Sequence, residues 1–435
     1  MRRYKIAIVG AGPAGYFTAQ ALQKAQTDDI SFSIDLIERL PTPWGLVRSG
    51  VAPDHQKIKT VSKVFEKIAK EPKFRLFANI ELGKDLALED LRDQYDAVVL
   101  ATGATKRRRI GIPGENLTNS LSAADFVPWY NGHPDYVSLE LDLNCETAVV
   151  IGAGNVALDV ARILSIDPQA LESTDIALHA LEKLKSSKLR TIVICGRRGP
   201  EHAVFTPQEL RELLKLQGVN VVVDVTQLRS SKKRVENSFY VEKEVVNNLA
   251  IMELITASNK TKLEKSIEIK FLLAPIEFRG SNKIEEIVFT KNQIVNGKAT
   301  SSEENYVIKC GLVISAIGYD VEEYPGILVE NGRIKNTAGH VEGNIYVVGW
   351  AKRGSHGVIG TNKSDSADVV DLMIKNLKEP KNKEGITAIL PHSHTIIDQL
   401  AWERINAAEI ISGAISGKPR IKETDLRRLL KLGQG

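Results

Sequence analysis

TAVVIGAGNVALDVAR, residues Thr147–Arg162, is the stretch that decides the fold. Its apolar start has strand character and runs into Gly152-Ala153-Gly154-Asn155-Val156-Ala157. Ala157, Val160, Ala161 and Leu164 then recur on one face at helical spacing. A strand, a glycine turn and a helix in that order make the first unit of a dinucleotide fold. Gly152 permits the tight turn, Gly154 lets the backbone approach a pyrophosphate, and small Ala157 lets helix and strand pack closely. The helix's free N–H groups then face the phosphates. The chain has already done this once, in KIAIVGAGPAG (Lys5–Gly15), with Gly10, Gly12 and Gly15 in the same roles and Pro13 and Ala14 inside the turn.

The two turns lead into different second strands. After the first, the strand Ser33–Ile37 ends in Glu38, an acceptor at the position of a ribose hydroxyl. After the second, the strand Thr191–Cys195 ends in Gly196-Arg197-Arg198. Two guanidiniums there suit a ribose 2′-phosphate; the plainer alternative is a solvated basic turn. The two units therefore ask for different nucleotides, one of them NADP and the other the ADP part of a flavin or nicotinamide.

With 435 residues the chain is long enough for two or three domains with full cores. No span is long and apolar enough to cross a membrane. A first strand starting at Tyr4 leaves no room for a cleavable leader, so a cytoplasmic protein is expected. Cys145, Cys195 and Cys310 are isolated, which removes a disulfide framework, a CxxC redox pair, and a cysteine set for zinc or an iron–sulfur cluster. The net charge of +4 is too near balance to imply nucleic acid.

Taken in order, Tyr4–Glu38 reads as a βαβ unit. Leu40–His55, LPTPWGLVRSGVAPDH, has no regular period and reads as a loop, with Gly45, Gly50, Trp44 and Leu46 suited to a wall against a planar ring. Asp54 and His55 close it, before a basic amphipathic helix expected over Gln56–Lys70. Strands are expected at Phe74–Leu82 and Tyr95–Gly103, and Lys106–Gly114 reads as an exposed linker. Ser165–Arg190 inserts a further helical stretch with Asp175, Glu182 and Lys183 outward. Thr206 caps a helix over Thr206–Leu216 with Glu209 in its first turn. Further strands are expected at Val219–Val223, Glu268–Leu273, Glu285–Lys291, Leu312–Ala316 and Asn344–Trp350, and helices at Thr361–Leu377, Thr395–Ile411 and Glu423–Leu432. Ala351–Asn362 is a glycine-rich turn feeding a helix. His392 and His394 read as loop residues, and no metal site is expected.

Read together, LPTPWGLVRSGVAPDH, IGAGNVALDVARIL, GRRGP, FTPQELREL and GW..RG..GVIGTNK (Gly349–Lys363) resemble the adrenodoxin reductase family, most closely its bacterial ferredoxin–NADP reductases. The resemblance implies an α/β, glutathione-reductase-like architecture of two Rossmann-type, three-layer domains binding FAD and NADP. The NADP domain (106–318) would be inserted into an FAD domain made of 1–105 and 319–435. It implies that Gly10–Gly15 and Glu38 hold the FAD adenosine diphosphate, and that Leu46, Ile80, Trp350, Gly357, Val358 and Ile359 contact the flavin. Gly152, Ala153, Gly154, Asn155 and Val156 would take the NADP pyrophosphate, Arg197 and Arg198 its 2′-phosphate, and Glu209 with Gly357 the nicotinamide end. His55 and Asp159 would lie near each other by the flavin, in a proton-relay or electrostatic role. Where Pro-Thr is expected after Arg353-Gly354, this chain has Ser355-His356.

The implied activity passes a hydride from NADPH to FAD and single electrons on to a ferredoxin. An acidic ferredoxin needs a basic docking face, for which Arg211, Lys215, Arg229, Lys232, Lys233 and Arg234 are candidates. A disulfide reductase on the same fold would need the absent CxxC. A flavin monooxygenase would need an apolar substrate cavity, and a non-catalytic NADP sensor would have no use for a flavin-facing loop.

Overall fold

The computed structural model describes residues 1–258, 263–391 and 393–435, so His392 lies outside the described residues. The chain forms two compact units. One comprises Met1–Lys106, Asn131–Pro134 and Tyr319–Gly435; the other comprises Arg107–Tyr130 and Asp135–Gly318. Each is an α/β fold around a largely or wholly parallel sheet, as the two glycine turns predict.

In the first unit the sheet runs in the order His340–Glu342, Ile345–Val347, Ala97–Leu100, Arg2–Val9, Ile30–Glu38, Phe74–Ala78. All neighbours are parallel except the short antiparallel pair His340–Glu342 and Ile345–Val347 at one edge. Its central strands are near-continuous apolar runs because both faces are covered. Pro13–Lys24 packs on one face among Tyr16, Phe32, Phe65 and Val370, while Leu91, Val98, Leu100 and Ile345 form the cluster on the other. The order puts the end of Arg2–Val9 between two neighbours, and the first glycine turn leaves the sheet there.

The second unit repeats the plan in the order Ser120–Ser122, Leu312–Ser315, Thr147–Ile151, Thr191–Cys195, Lys265–Lys270, Val219–Val223, all parallel. Ala157, Val160, Ala161 and Leu164 are buried against it, so the helical stripe read in the sequence is the core face of Asn155–Ser165. An antiparallel sheet of Leu273–Arg279, Glu286–Val295 and Lys298–Lys309 is added to this unit.

Several expected elements differ. Gln56–Lys70 is not one helix but Gln56–Lys59 and Ser62–Ala69. The Thr60 hydroxyl takes the Lys57 carbonyl at 2.7 Å, and the β-branched pair Thr60-Val61 tightens the backbone to three-residue hydrogen bonds. Asp175 does not face outward: the segment joining Pro168–Leu171 to Leu178–Lys185 sinks into the core with Leu171 and Ile176, and Asp175 is 3% exposed. Glu182 and Lys183 are exposed as expected. Glu268–Leu273 is the end of one strand and the start of another, because Leu272, at φ +59°, turns the chain between them. The Asn344–Trp350 strand stops at Val347, and Trp350 begins a short helix after Gly349. The helices Val225–Glu236 and Lys243–Ala257 and the strand Lys298–Lys309 were not expected; the first helix and the strand are mostly polar, and Lys243–Ala257 carries apolar residues on its exposed face too, Val246 and Leu254 among them, so no apolar period stands out.

Candidate functional site

In the first unit the glycine turn brings backbone against backbone and leaves a helix N-terminus without a side-chain cap. Gly10 has φ +109°, and a Cβ there would stand 2.5 Å from the Ala101 carbonyl oxygen. Gly12 caps Pro13–Lys24 with extended backbone and no side chain occupies the helix N-terminus, so its first-turn N–H groups face outward. Glu38 ends the second strand and binds the turn itself, accepting from Ala11 N–H at 2.9 Å and Leu40 N–H at 3.1 Å. Burial raises its carboxyl pKa against the pull of those amides. Each carboxylate oxygen keeps a second lone pair for a ribose hydroxyl.

The Leu40–His55 loop lies directly on this turn. Trp44, at φ +85°, donates its N–H to Ala11 O at 2.8 Å, and a Cβ on Gly45 would stand 2.9 Å from Gly12 Cα. Glu38, Thr42, Gly45, Ser49 and His133 line a small cleft beside the loop. The loop is held from below by groups the sequence reading missed. Arg48 gives two hydrogen bonds to Glu409, Arg420 a third, and the Glu423 N–H a fourth. Trp44 meets Trp402 edge to face at 5.0 Å, and Arg420 lies over the Trp44 ring at 5.4 Å. Buried Lys422 donates to Asn131 O at 3.0 Å. The tail thus clamps the loop, and no local pattern could have announced contacts between residues so far apart in the chain.

The other expected residues of this unit divide. Leu46 is partly buried at the start of the short helix Leu46–Ser49. Ile80 is 1% exposed and packs in the apolar cluster, its N–H bonded to Glu38 O at 2.9 Å. Gly349 approaches the first turn: a Cβ there would meet Ala14 Cβ at 2.6 Å, and Ser366 donates to Ala14 O. Asp365 accepts from the Gly349 N–H, Lys352 and Arg353, fixing the turn at Trp350. Gly357 and Val358 are exposed, and His356 of the departing Ser355-His356 pair is exposed too. His55 heads Gln56–Lys59 without capping it.

In the second unit Gly152 has φ +143°, and a side chain there would run into the Ala316 carbonyl. Gly154 again leaves the helix N-terminus without a side-chain cap. Asn155 turns aside to accept the Thr206 N–H at 2.7 Å, and Val204 N–H bonds Ala153 O at 2.9 Å. Those two bonds tie Pro207–Glu212 to the glycine turn, with Thr206 capping it through the Glu209 N–H. Asp159, one turn into Asn155–Ser165, pairs with Arg162 at 2.6 Å, and burial, then the Glu209 carboxylate, push its pKa well above the usual range. Arg197 and Arg198 are exposed, and neither is ion-paired among the described residues. Their loop is pinned through the backbone by Asn292 to Arg197 O and by Leu272 N–H to Arg198 O.

Of the basic residues put forward as a docking face, Lys215 pairs with Glu212, Lys232 with Glu253 and Arg234 with Glu201. Arg211, Arg229 and Lys233 are exposed. Cys145, Cys195 and Cys310 are free thiols, the last two buried in the core. Among the described residues no helix is long and apolar enough to cross a membrane.

Two Rossmann-type units with unlike nucleotide turns define a flavin- and nicotinamide-type oxidoreductase scaffold, and the chain belongs to the pyridine nucleotide-disulphide oxidoreductase family, whose model matches residues 4–350. It is 43% identical to the NADPH-ferredoxin reductase FprA of Mycobacterium tuberculosis over 100% of both chains. It is 36% identical to the mitochondrial NADPH:adrenodoxin oxidoreductase of Salvelinus fontinalis, over 99% of this chain and 91% of that one. The structure of M. tuberculosis FprA in complex with NADPH superposes with a TM-score of 0.93 over 100% of both chains, at 43% identity. The resemblance to adrenodoxin reductases read from the motifs is thereby borne out.

Proposed function

We propose that this chain is an NADPH-dependent ferredoxin reductase, with FAD held by residues 1–105 and 319–435 and NADP by 106–318. The observation that carries the reading is the contrast between the two turns: a carboxylate, Glu38, tied to the first, and two exposed arginines after the second. Full-length identity with proteins named NADPH-ferredoxin reductase supports it.

In this reading Gly10, Gly12, Pro13, Ala14 and Gly15 seat the FAD diphosphate on the helix N-terminus and Glu38 takes its ribose. The close backbone approach of Gly45 to Gly12 fits a loop laid against a planar cofactor. Leu46, Trp350, Gly357, Val358 and Ile359 border the ring, and Ile80 contributes through its backbone. Bound flavin supplies the exchange between a two-electron donor and one-electron acceptors. Gly152, Ala153, Gly154, Asn155 and Val156 hold the NADP pyrophosphate, Arg197 and Arg198 select the 2′-phosphate, and Glu209 orients the carboxamide. Asp159, its pKa raised, and His55 hold protons or charge beside the ring. A ferredoxin docks on Arg211, Arg229 and Lys233, with Lys215 and Lys232 at the margin. The site of action is the cytoplasm, in keeping with three free thiols.

Stopped-flow mixing of the yellow protein with NADPH or NADH, then with oxidised ferredoxin or oxygen, tests the reading. Bleaching that favours NADPH, followed by ferredoxin reduction, is expected. Electrons passing to oxygen and an added substrate but not to ferredoxin would overturn it in favour of a monooxygenase.

A further inference from the structure

The turn that carries Arg197 and Arg198 continues into a short 3₁₀ turn, Pro200–His202, which carries Glu201 three residues after Arg198. Its side chain is 9% exposed and takes Arg234 in a two-pronged ion pair, Nε to Oε1 at 2.6 Å and the terminal nitrogen to Oε2 at 3.1 Å. Buried Ser231 donates its hydroxyl to the same carboxylate and accepts the Glu201 N–H at 3.1 Å. The guanidinium fits because residue 199 is glycine: a Cβ there would lie 2.9 Å from the Arg234 terminal nitrogen. His202 completes the group, its Nδ1 3.6 Å from Glu201. Burial opposes the charge on Glu201, yet Arg234 and Ser231 outweigh it, so the carboxylate stays ionised.

We infer that Arg234 is a positioning and specificity residue for the nicotinamide dinucleotide's 2′-phosphate, acting by neutralising Glu201 just after the Arg197-Arg198 turn, rather than a member of a partner-docking face. The inference rests on the NADP reading above. With the pair intact, three guanidiniums oppose one carboxylate at this turn. Without Arg234 the carboxylate stands uncompensated near the two arginines and repels a dianionic phosphate, whereas a cofactor with a plain 2′-hydroxyl feels little of it. The effect is therefore a charge effect that discriminates between NADPH and NADH.

Steady-state KM values of the flavin-loaded enzyme for NADPH and NADH, with ferricyanide as acceptor, test this. Arg234→Met is expected to raise the KM for NADPH about tenfold, with that for NADH nearly unchanged, the loss shrinking as salt is added. Glu201→Gln is expected to keep NADPH binding, and Glu201→Gln/Arg234→Met to recover most of the loss, because both remove the stray charge. Equal losses for both cofactors, or a double variant no better than Arg234→Met, would reduce the pair to a structural brace and overturn the inference. Arg198→Ala serves as the reference. If it leaves the NADPH preference intact, the 2′-phosphate reading itself fails; if it abolishes the preference and Arg234→Met does not, only the present inference fails.

Discussion

Glu409 takes both terminal nitrogens of Arg48, 361 residues away in the chain, at 2.8 and 2.5 Å, with 8% and 1% of the two side chains exposed. A buried pair of this kind costs most when only one partner is removed. Arg48→Met or Glu409→Ala alone is expected to destabilise the first unit by about 3–5 kcal/mol and to release flavin at lower temperature. The double substitution to Met and Leu is expected to be milder. Thermal melts followed by both circular dichroism and flavin fluorescence check this.

Acid should undo the same clamp. Burial opposes the charge on Glu409, but Arg48, then Arg420 and the Glu423 N–H, hold its pKa below the ordinary value of 4.5. A carboxyl lowered by folding contributes stability that is present above its unfolded value and lost as pH falls through the folded one. Tm should therefore fall below about pH 4.5 with a component that Glu409→Gln lacks. Parallel melting curves for the two proteins across that range would refute it.

Gly45 is held at φ +50° with no room toward Gly12 Cα. Gly45→Ala adds left-handed strain and a close contact, together about 1–3 kcal/mol, at the point where the loop meets the phosphate turn. Weaker flavin retention in dialysis, with the apoprotein fold intact, is the expected outcome.

The carboxyl of Asp159 is raised first by burial and then by Glu209. Glu209→Gln removes the second cause, so the limb of the flavin-reduction pH profile due to Asp159 should move to lower pH and should vanish in Asp159→Asn. A limb that stays in place in both variants would assign it to another group.

Arg211, Arg229 and Lys233 are exposed on the second unit. Charge reversal at all three should raise the ferredoxin KM about tenfold at low salt and flatten its salt dependence, with NADPH-driven flavin reduction unaltered. An unchanged salt slope would move the docking face elsewhere.

The parts of this protein legible in its sequence are those in which a short stretch needs only its own backbone. Gly10, Gly152 and the small residues after them are dictated by a tight turn and a helix that must pack on a strand, and Thr206 caps the helix that follows it through an N–H three residues on. The unexpected helices Val225–Glu236 and Lys243–Ala257 bury only part of their length; the first is mostly polar, and the second exposes apolar residues such as Val246 and Leu254, so neither shows a one-sided apolar period. Asp175 looked solvent-facing because polarity argues for the surface, yet the segment that carries it crosses the core.

By itself, then, the sequence determined two parallel-sheet units, their two unlike nucleotide turns and the arginines that ask for a 2′-phosphate. Each turn is local, set by φ, hydrogen-bonding capacity and side-chain size within one strand–turn–helix stretch, and its acidic or basic partner closes the next strand of the same unit. Only tertiary structure decided that Arg48 answers to Glu409, that Arg234 belongs to Glu201, and that Trp44 rests on Trp402. Charges and rings such as these find partners through the packing of distant elements, and burial, which no single stretch encodes, sets how strongly each pairing acts.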